Sequence, residues 1–148
     1  MSKIAKIATV AALAVPILIG AAGTANASTP SGCSSVTQIG GTSYLTVGGE
    51  TMASVKQYKG CGKNYAYLYV WAGYRSHHSS WDACASIVTD GGHTIQDVNC
   101  GGPNPVEVWS FGASTLSQCT QALGWNGSGG DFGSPVAGDV TVTTDVRC

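Results

Sequence analysis

The stretch Asn64-Tyr65-Ala66-Tyr67-Leu68-Tyr69-Val70-Trp71-Ala72 decides the fold class. Successive side chains of a strand point to opposite faces, so residues two apart share one. Tyr65, Tyr67, Tyr69 and Trp71 line one face; Ala66, Leu68, Val70 and Ala72 line the other. A period of two, rich in aromatics, predicts a strand rather than a helix. Neither face is polar, which assigns the strand to the middle of a sheet. The aromatic face has two readings. It fills the core of a sandwich with the tyrosine hydroxyls at a rim, or it forms an exposed row of the kind that stacks sugars or peptides. The burial habits of aromatic residues favour the core.

Working outward, Ala53–Tyr58 alternates as a second strand, and Lys59-Gly60-Cys61-Gly62-Lys63 turns it into the first as a hairpin. Val36–Val47 carries scattered β-formers, with Gly40-Gly41 read as a break and Gly48-Gly49 as a turn. After Trp71, Gly73–Asp82 reads as a polar loop with embedded aromatics. Cys84–Thr89 and His93–Cys100 flank Asp90-Gly91-Gly92 as another hairpin, which makes Cys84 and Cys100 a plausible bridge at its open end. Gly101–Pro105 is a sharp connector before a short strand, Val106–Phe111. Ser114–Leu123 reads as the one helix, capped by Ser114 and ended by Gly124. Asp139–Cys148 alternates again, with Val140, Val142, Thr144, Val146 and Cys148 expected to face inward.

The first 27 residues read as a cleaved export signal. Lys3 and Lys6 precede an apolar run, Ile7–Ile19, and Ala25-Asn26-Ala27 supplies a small-x-small cleavage pattern. The run of 13 residues is shorter than the roughly 20 a membrane span needs. Residues 28–148 then form one exported domain, with no membrane attachment expected after cleavage, and Ser28–Ser35 reads as a flexible arm pinned by Cys33. Six cysteines, Cys33, Cys61, Cys84, Cys100, Cys119 and Cys148, predict three disulfides in an oxidising compartment; 15 connectivities are open. No C-x-x-C pair suggests zinc. Ser28–Trp81 sets Lys56, Lys59, Lys63 and Arg75 against Glu50, whereas Asp82 onward sets seven acids against Arg147. The resulting net charge of −3 from Ser28 onward argues against nucleic acid as a partner.

No catalytic or cofactor motif emerges, and none of the residues calls for a cofactor or metal. His77 and His78 sit with Ser79, Ser80 and Asp82, and His93 with Asp90, but no H-E-x-x-H occurs and such residues are common in solvated loops. Gly130-Asp131-Phe132-Gly133-Ser134-Pro135 resembles the Gly-Asp-Ser-Gly-Ser-Pro signature of trypsin-like serine proteases, but Phe132 stands where the nucleophile belongs. Gly127–Gly130 lacks the Lys and Ser/Thr of a phosphate loop, and Asn126-Gly127-Ser128 is a glycosylation sequon or simply a turn. Val55-Lys56-Gln57-Tyr58, Cys61 and Tyr65–Trp71 together resemble small secreted actinobacterial cysteine-containing β domains of unknown function. That resemblance implies no activity.

The expectation is therefore a mostly β chain: a single antiparallel sandwich or small barrel with one short helix, stapled by disulfides. Its expected role is non-enzymatic binding of an extracellular glycan or protein through aromatic side chains. Trp71, Tyr74, Arg75, His77, His78 and Trp81 combine indoles, a phenol, a guanidinium and imidazoles within 11 residues, a mixture suited to sugars and protein hot spots. Two alternatives stand beside it: a small hydrolase using the His77–Asp82 loop, and a protease inhibitor presenting Lys59 or Lys63 from a disulfide-held loop.

Overall fold

The computed structural model describes residues 28–127 and 133–148. The stretch expected to be an export signal lies outside the described residues, as do Ser128 of the sequon, Ser128–Gly130 of the glycine run and Gly130–Phe132 of the protease-like hexapeptide.

Among the described residues, eight strands form two antiparallel four-stranded sheets. The first sheet orders β1 (Thr37–Val47), β2 (Glu50–Gly60), β3 (Lys63–Val70) and β6 (Glu107–Trp109). The second orders β5 (Thr94–Cys100), β4 (Cys84–Thr89), β7 (Gln121–Trp125) and β8 (Thr141–Thr143). Among the described residues one short α-helix, α1 (Ala72–His77), follows β3. The aromatic strand is central, as its two apolar faces required: β2 pairs along one side and β6 along the other.

Register decides which face of β3 meets the second sheet. Val70, Leu68 and Ala66 stand opposite Ala53, Val55 and Gln57, and Val108 stands opposite Leu68. These residues, with Leu45 from β1 and Ala85, Ile87 and Ala122 from the second sheet, form the buried core. The tyrosines face the other way. Tyr69, Tyr67 and Tyr65 stand opposite Ser54, Lys56 and Tyr58 on the outer side of the sheet, so the expectation that they fill the sandwich core is overturned. Small aliphatic side chains let the sheets approach closely. The bulky rings are excluded from that gap and pack on one another outside it.

Burial of about 25 cal/mol for each Å² of apolar surface makes this aliphatic layer the main source of cohesion. The two sheets approach closely at Gly124. A Cβ there would lie 2.5 Å from Val55 Cγ2 and 3.0 Å from Leu68 Cδ1. Gly124 thus serves sheet packing, and Ser114–Leu123 is not a helix: turns lead into β7, which pairs with β4 and β8 in the middle of the second sheet. Tertiary packing overrides the helical spacing of Leu116 and Leu123. Leu116 is in fact exposed.

Other departures are local. Gly40-Gly41 does not end the first strand; it forms a bulge, with register shifting between Ile39 and Thr42, and Gly40 sits at φ 77°. The loop expected after Trp71 opens with α1 instead. The N-terminal arm is packed, with Pro30 buried and Cys33 N–H donating to Pro30 O at 3.0 Å. At the other end, Val140, Val146 and Cys148 are exposed rather than inward-facing, and only Thr144 is buried. Pairing there covers Thr141–Thr143, and beyond it Thr144 turns its hydroxyl to accept from Ala122 N–H at 2.9 Å.

Three disulfides join Cys33 to Cys61, Cys84 to Cys100 and Cys119 to Cys148. The first ties the arm to the β2–β3 turn. The second joins directly opposed residues of β4 and β5. The third anchors the C-terminus beside β7. Each contributes about 3 kcal/mol by restricting the unfolded chain. Such bonds fit an oxidising, extracellular environment. Among the described residues, no helix is long and apolar enough to cross a membrane.

Candidate functional site

The outer face of the first sheet divides into a covered half and an open half. In the covered half, Trp109 lies 4.5 Å from Tyr67 and 5.0 Å from Tyr58 between ring centroids, and Tyr65 meets Trp109 edge-on at 6.4 Å. The arm closes this side. Ser28 hydrogen-bonds to Glu107 and accepts from Trp109 Nε1 at 3.1 Å. Tyr67 donates its hydroxyl to Glu107 at 2.8 Å, and burial together with that carboxylate pushes the phenol far above its ordinary range. Tyr58 is pushed up by burial alone. These rings are structural.

In the open half the same face continues without cover. Cross-strand register sets Tyr44, Ser54, Tyr69 and Glu107 in one row. Ser54 is buried between two tyrosines that stand two strand spacings, roughly 10 Å, apart. Tyr44 is 57% exposed and Trp71 43%, and Trp71 meets Tyr69 edge-on at 6.0 Å. Arg75 lies one helical turn beyond Trp71, its N–H donating to Trp71 O at 3.0 Å. Its guanidinium Nε is buried without a hydrogen-bond partner among the described residues. Tyr44 escaped sequence reading because it joins this row only through a register that depends on the Gly40 bulge.

The six residues expected to form one surface divide four ways. Trp71 and Arg75 border the open aromatic row. Tyr74 turns inward and is buried in the core. His77 and His78 converge on Glu50, with His77 Nδ1 at 3.2 Å from one carboxylate oxygen and His78 Nε2 at 3.1 Å from the other. The hydrogen bond from His78, helped by His77, holds the Glu50 carboxyl below its usual range. His78 also stacks on Tyr74 at 3.9 Å, and burial followed by the Glu50 charge raises the Tyr74 phenol. Trp81 is half-buried, edge-on to Tyr74 at 6.5 Å, with its indole N–H donating to Pro105 O at 2.9 Å.

Trp81 faces a cleft of about 460 Å³ lined by Met52, Tyr74, Ser80, Asp82, Pro103, Asn104 and Asn126 as well. Asn104, at φ 55°, stitches its walls: Oδ1 accepts from Trp81 N–H at 2.9 Å, and its own N–H donates to Trp81 O at 2.9 Å. An asparagine tolerates that left-handed backbone better than most residues. The histidines do not line the cleft. Lys63, expected to protrude in an inhibitor, instead donates to Gly112 O at 3.0 Å; Lys59 is exposed but held within β2. Among the described residues, no group of three or more His, Cys, Asp or Glu is arranged to hold a metal ion.

No family model, curated protein or solved structure matches the chain. The site therefore has to be understood from its own geometry.

Proposed function

We propose that this is a secreted, non-enzymatic binding protein that holds an extracellular glycan through the open aromatic row of its first sheet. The observation that supports it is the position of Tyr44, Tyr69 and Trp71 on the outer face. The exposed rings of Tyr44 and Trp71 and the half-buried ring of Tyr69, with the small Ser54 between the two tyrosines, offer flat apolar plates to a sugar chain. Contiguous exposed apolar surface marks interaction sites more often than chance. A protein partner is the second reading, favoured by Trp71 lying beside Arg75, since Trp and Arg dominate protein hot spots.

The test is a depletion assay on insoluble polysaccharides, cellulose and chitin among them, with wild type, Tyr69→Ala, Trp71→Ala and Arg75→Ala. A glycan surface predicts retention of the wild type, weakened about tenfold by either aromatic substitution and little by Arg75→Ala. Melting temperatures should stay close to wild type, because Trp71 is outside the core. Retention insensitive to both aromatic substitutions would remove the row from the binding surface.

A further inference from the structure

We infer that the cleft beside Trp81 is a separate binding site for a single uncharged pyranose unit. It stands apart from the aromatic row, and the experiment below reads the two independently.

The cleft's volume, about 460 Å³, falls within the roughly 300–1,000 Å³ typical of small-molecule sites. Its apolar lining is Met52, Tyr74, Trp81 and Pro103; its polar lining is Ser80, Asp82, Asn104 and Asn126. The indole is held in place before any ligand arrives, by the Pro105 carbonyl on its N–H and by the Tyr74 edge. Pre-organised aromatic area of this kind binds without a large ordering cost.

The polar groups are biased toward a particular chemistry. Asn104 and Asn126 both commit their carbonyl oxygens to backbone N–H groups, of Trp81 at 2.9 Å and of Val140 at 2.6 Å. That leaves amide NH₂ groups as the donors they offer. The Asn104 NH₂ makes only a stretched contact with Ser79 O at 3.5 Å. Asp82 is exposed and makes no hydrogen bond or ion pair among the described residues, so its carboxylate is an uncommitted acceptor. Ser80 contributes a hydroxyl that both donates and accepts.

Among the described residues no lysine or arginine lines the cleft, and the one charge there is negative. Phosphate, sulfate and carboxylate ligands are therefore disfavoured by like-charge repulsion and by the lack of a cation to pair with. Donors, a charged acceptor and a flat apolar plate together match a ring with hydroxyls on its edge and C–H groups on its face. A neutral pyranose has both. Its hydroxyls donate to Asp82 and accept from the two amides, while a ring face lies against the indole.

The experiment is a titration of the ¹⁵N-labelled protein, disulfides intact, with cellohexaose, maltohexaose and the hexamer of N-acetylglucosamine, followed by two-dimensional NMR. Saturable shifts of the Trp81 indole N–H and of the Asn104 and Asn126 side-chain amides are expected with at least one of the three. Asp82→Asn should weaken that binding about tenfold, because a hydrogen bond to a charged acceptor is lost. Asp82 makes no hydrogen bond or ion pair among the described residues, so this variant should fold normally. Tyr44→Ala and Tyr69→Ala should leave the cleft shifts unchanged. Shifts confined to residues of the aromatic row, an Asp82→Asn protein that binds as tightly as wild type, or no saturable shift with any of the three sugars would each overturn the site.

Discussion

The aromatic strand β3 and the C-terminal stretch Asp139–Cys148 carry equally regular alternation in sequence, yet they behave differently in the fold. Along β3 the alternation separates a fully buried aliphatic face from an aromatic one. Along the C-terminal stretch, Val140 and Val146 are exposed, Val142 is half-buried and only Thr144 is fully enclosed. The difference lies in neighbours. β3 has a strand on each side and the second sheet against its back, whereas β8 is an edge strand paired over three residues. A period of two says which residues share a face; position in the sheet says what that face meets.

Matched charge insertions probe this contrast most strongly. Leu68→Asp places a carboxylate in the middle of the aliphatic layer with no partner, and should cost more than about 4 kcal/mol or prevent folding. Val142→Asp, on the edge strand, should cost about 1 kcal/mol, since the carboxylate can reach water. Chemical denaturation of the two variants measures the gap. Equal losses would mean that β8 is as enclosed as β3.

How much was legible follows the same logic. The central strand, both hairpins, the sandwich-or-barrel class and the Cys84–Cys100 bridge were all visible, because local spacing and turn chemistry carry them. The inward face of β3 was not: aromatic rings suggested a core, and only the pairing of Val55 with Leu68 and of Gly124 against both reveals a gap too narrow for them. Ser114–Leu123 misled for a related reason. Its helical spacing is real in sequence, but the segment beyond it fills a slot between β4 and β8. At the candidate site, Trp71 and Arg75 could be recognised from their own stretch. Tyr44, Glu50, Asn104 and Asn126 could not, since each reaches the site only through long-range contacts.

Gly124 tests the narrow gap directly. Its backbone lies outside the left-handed region, so conformational strain does not enter. Gly124→Ala should still destabilise by about 1–3 kcal/mol, because the new Cβ would overlap Val55. Val55→Ala in the same chain should recover part of that loss, and the coupling would appear as non-additivity in a double-mutant cycle. Strict additivity would mean the sheets do not touch there.

The smallest effect concerns the β1–β2 turn, where Glu50 receives both histidines. A carboxyl whose pKa is lowered by folding stabilises the fold above its unfolded pKa, and that contribution is lost as pH falls through the folded value. Wild type should therefore exceed Glu50→Gln in melting temperature above the ordinary carboxylate range, with the margin closing as pH falls through the lowered Glu50 value. Both partners are substantially exposed, with His77 at 70% and Glu50 at 38%, so the margin should be small and should shrink in high salt. His78→Ala should remove more of it than His77→Ala, because the His78 hydrogen bond is the larger influence on Glu50 and His78 alone is also stacked on Tyr74. A margin that stays unchanged as the pH falls through that range would show that folding does not lower the Glu50 carboxyl, and would separate this turn from the pH response of the fold.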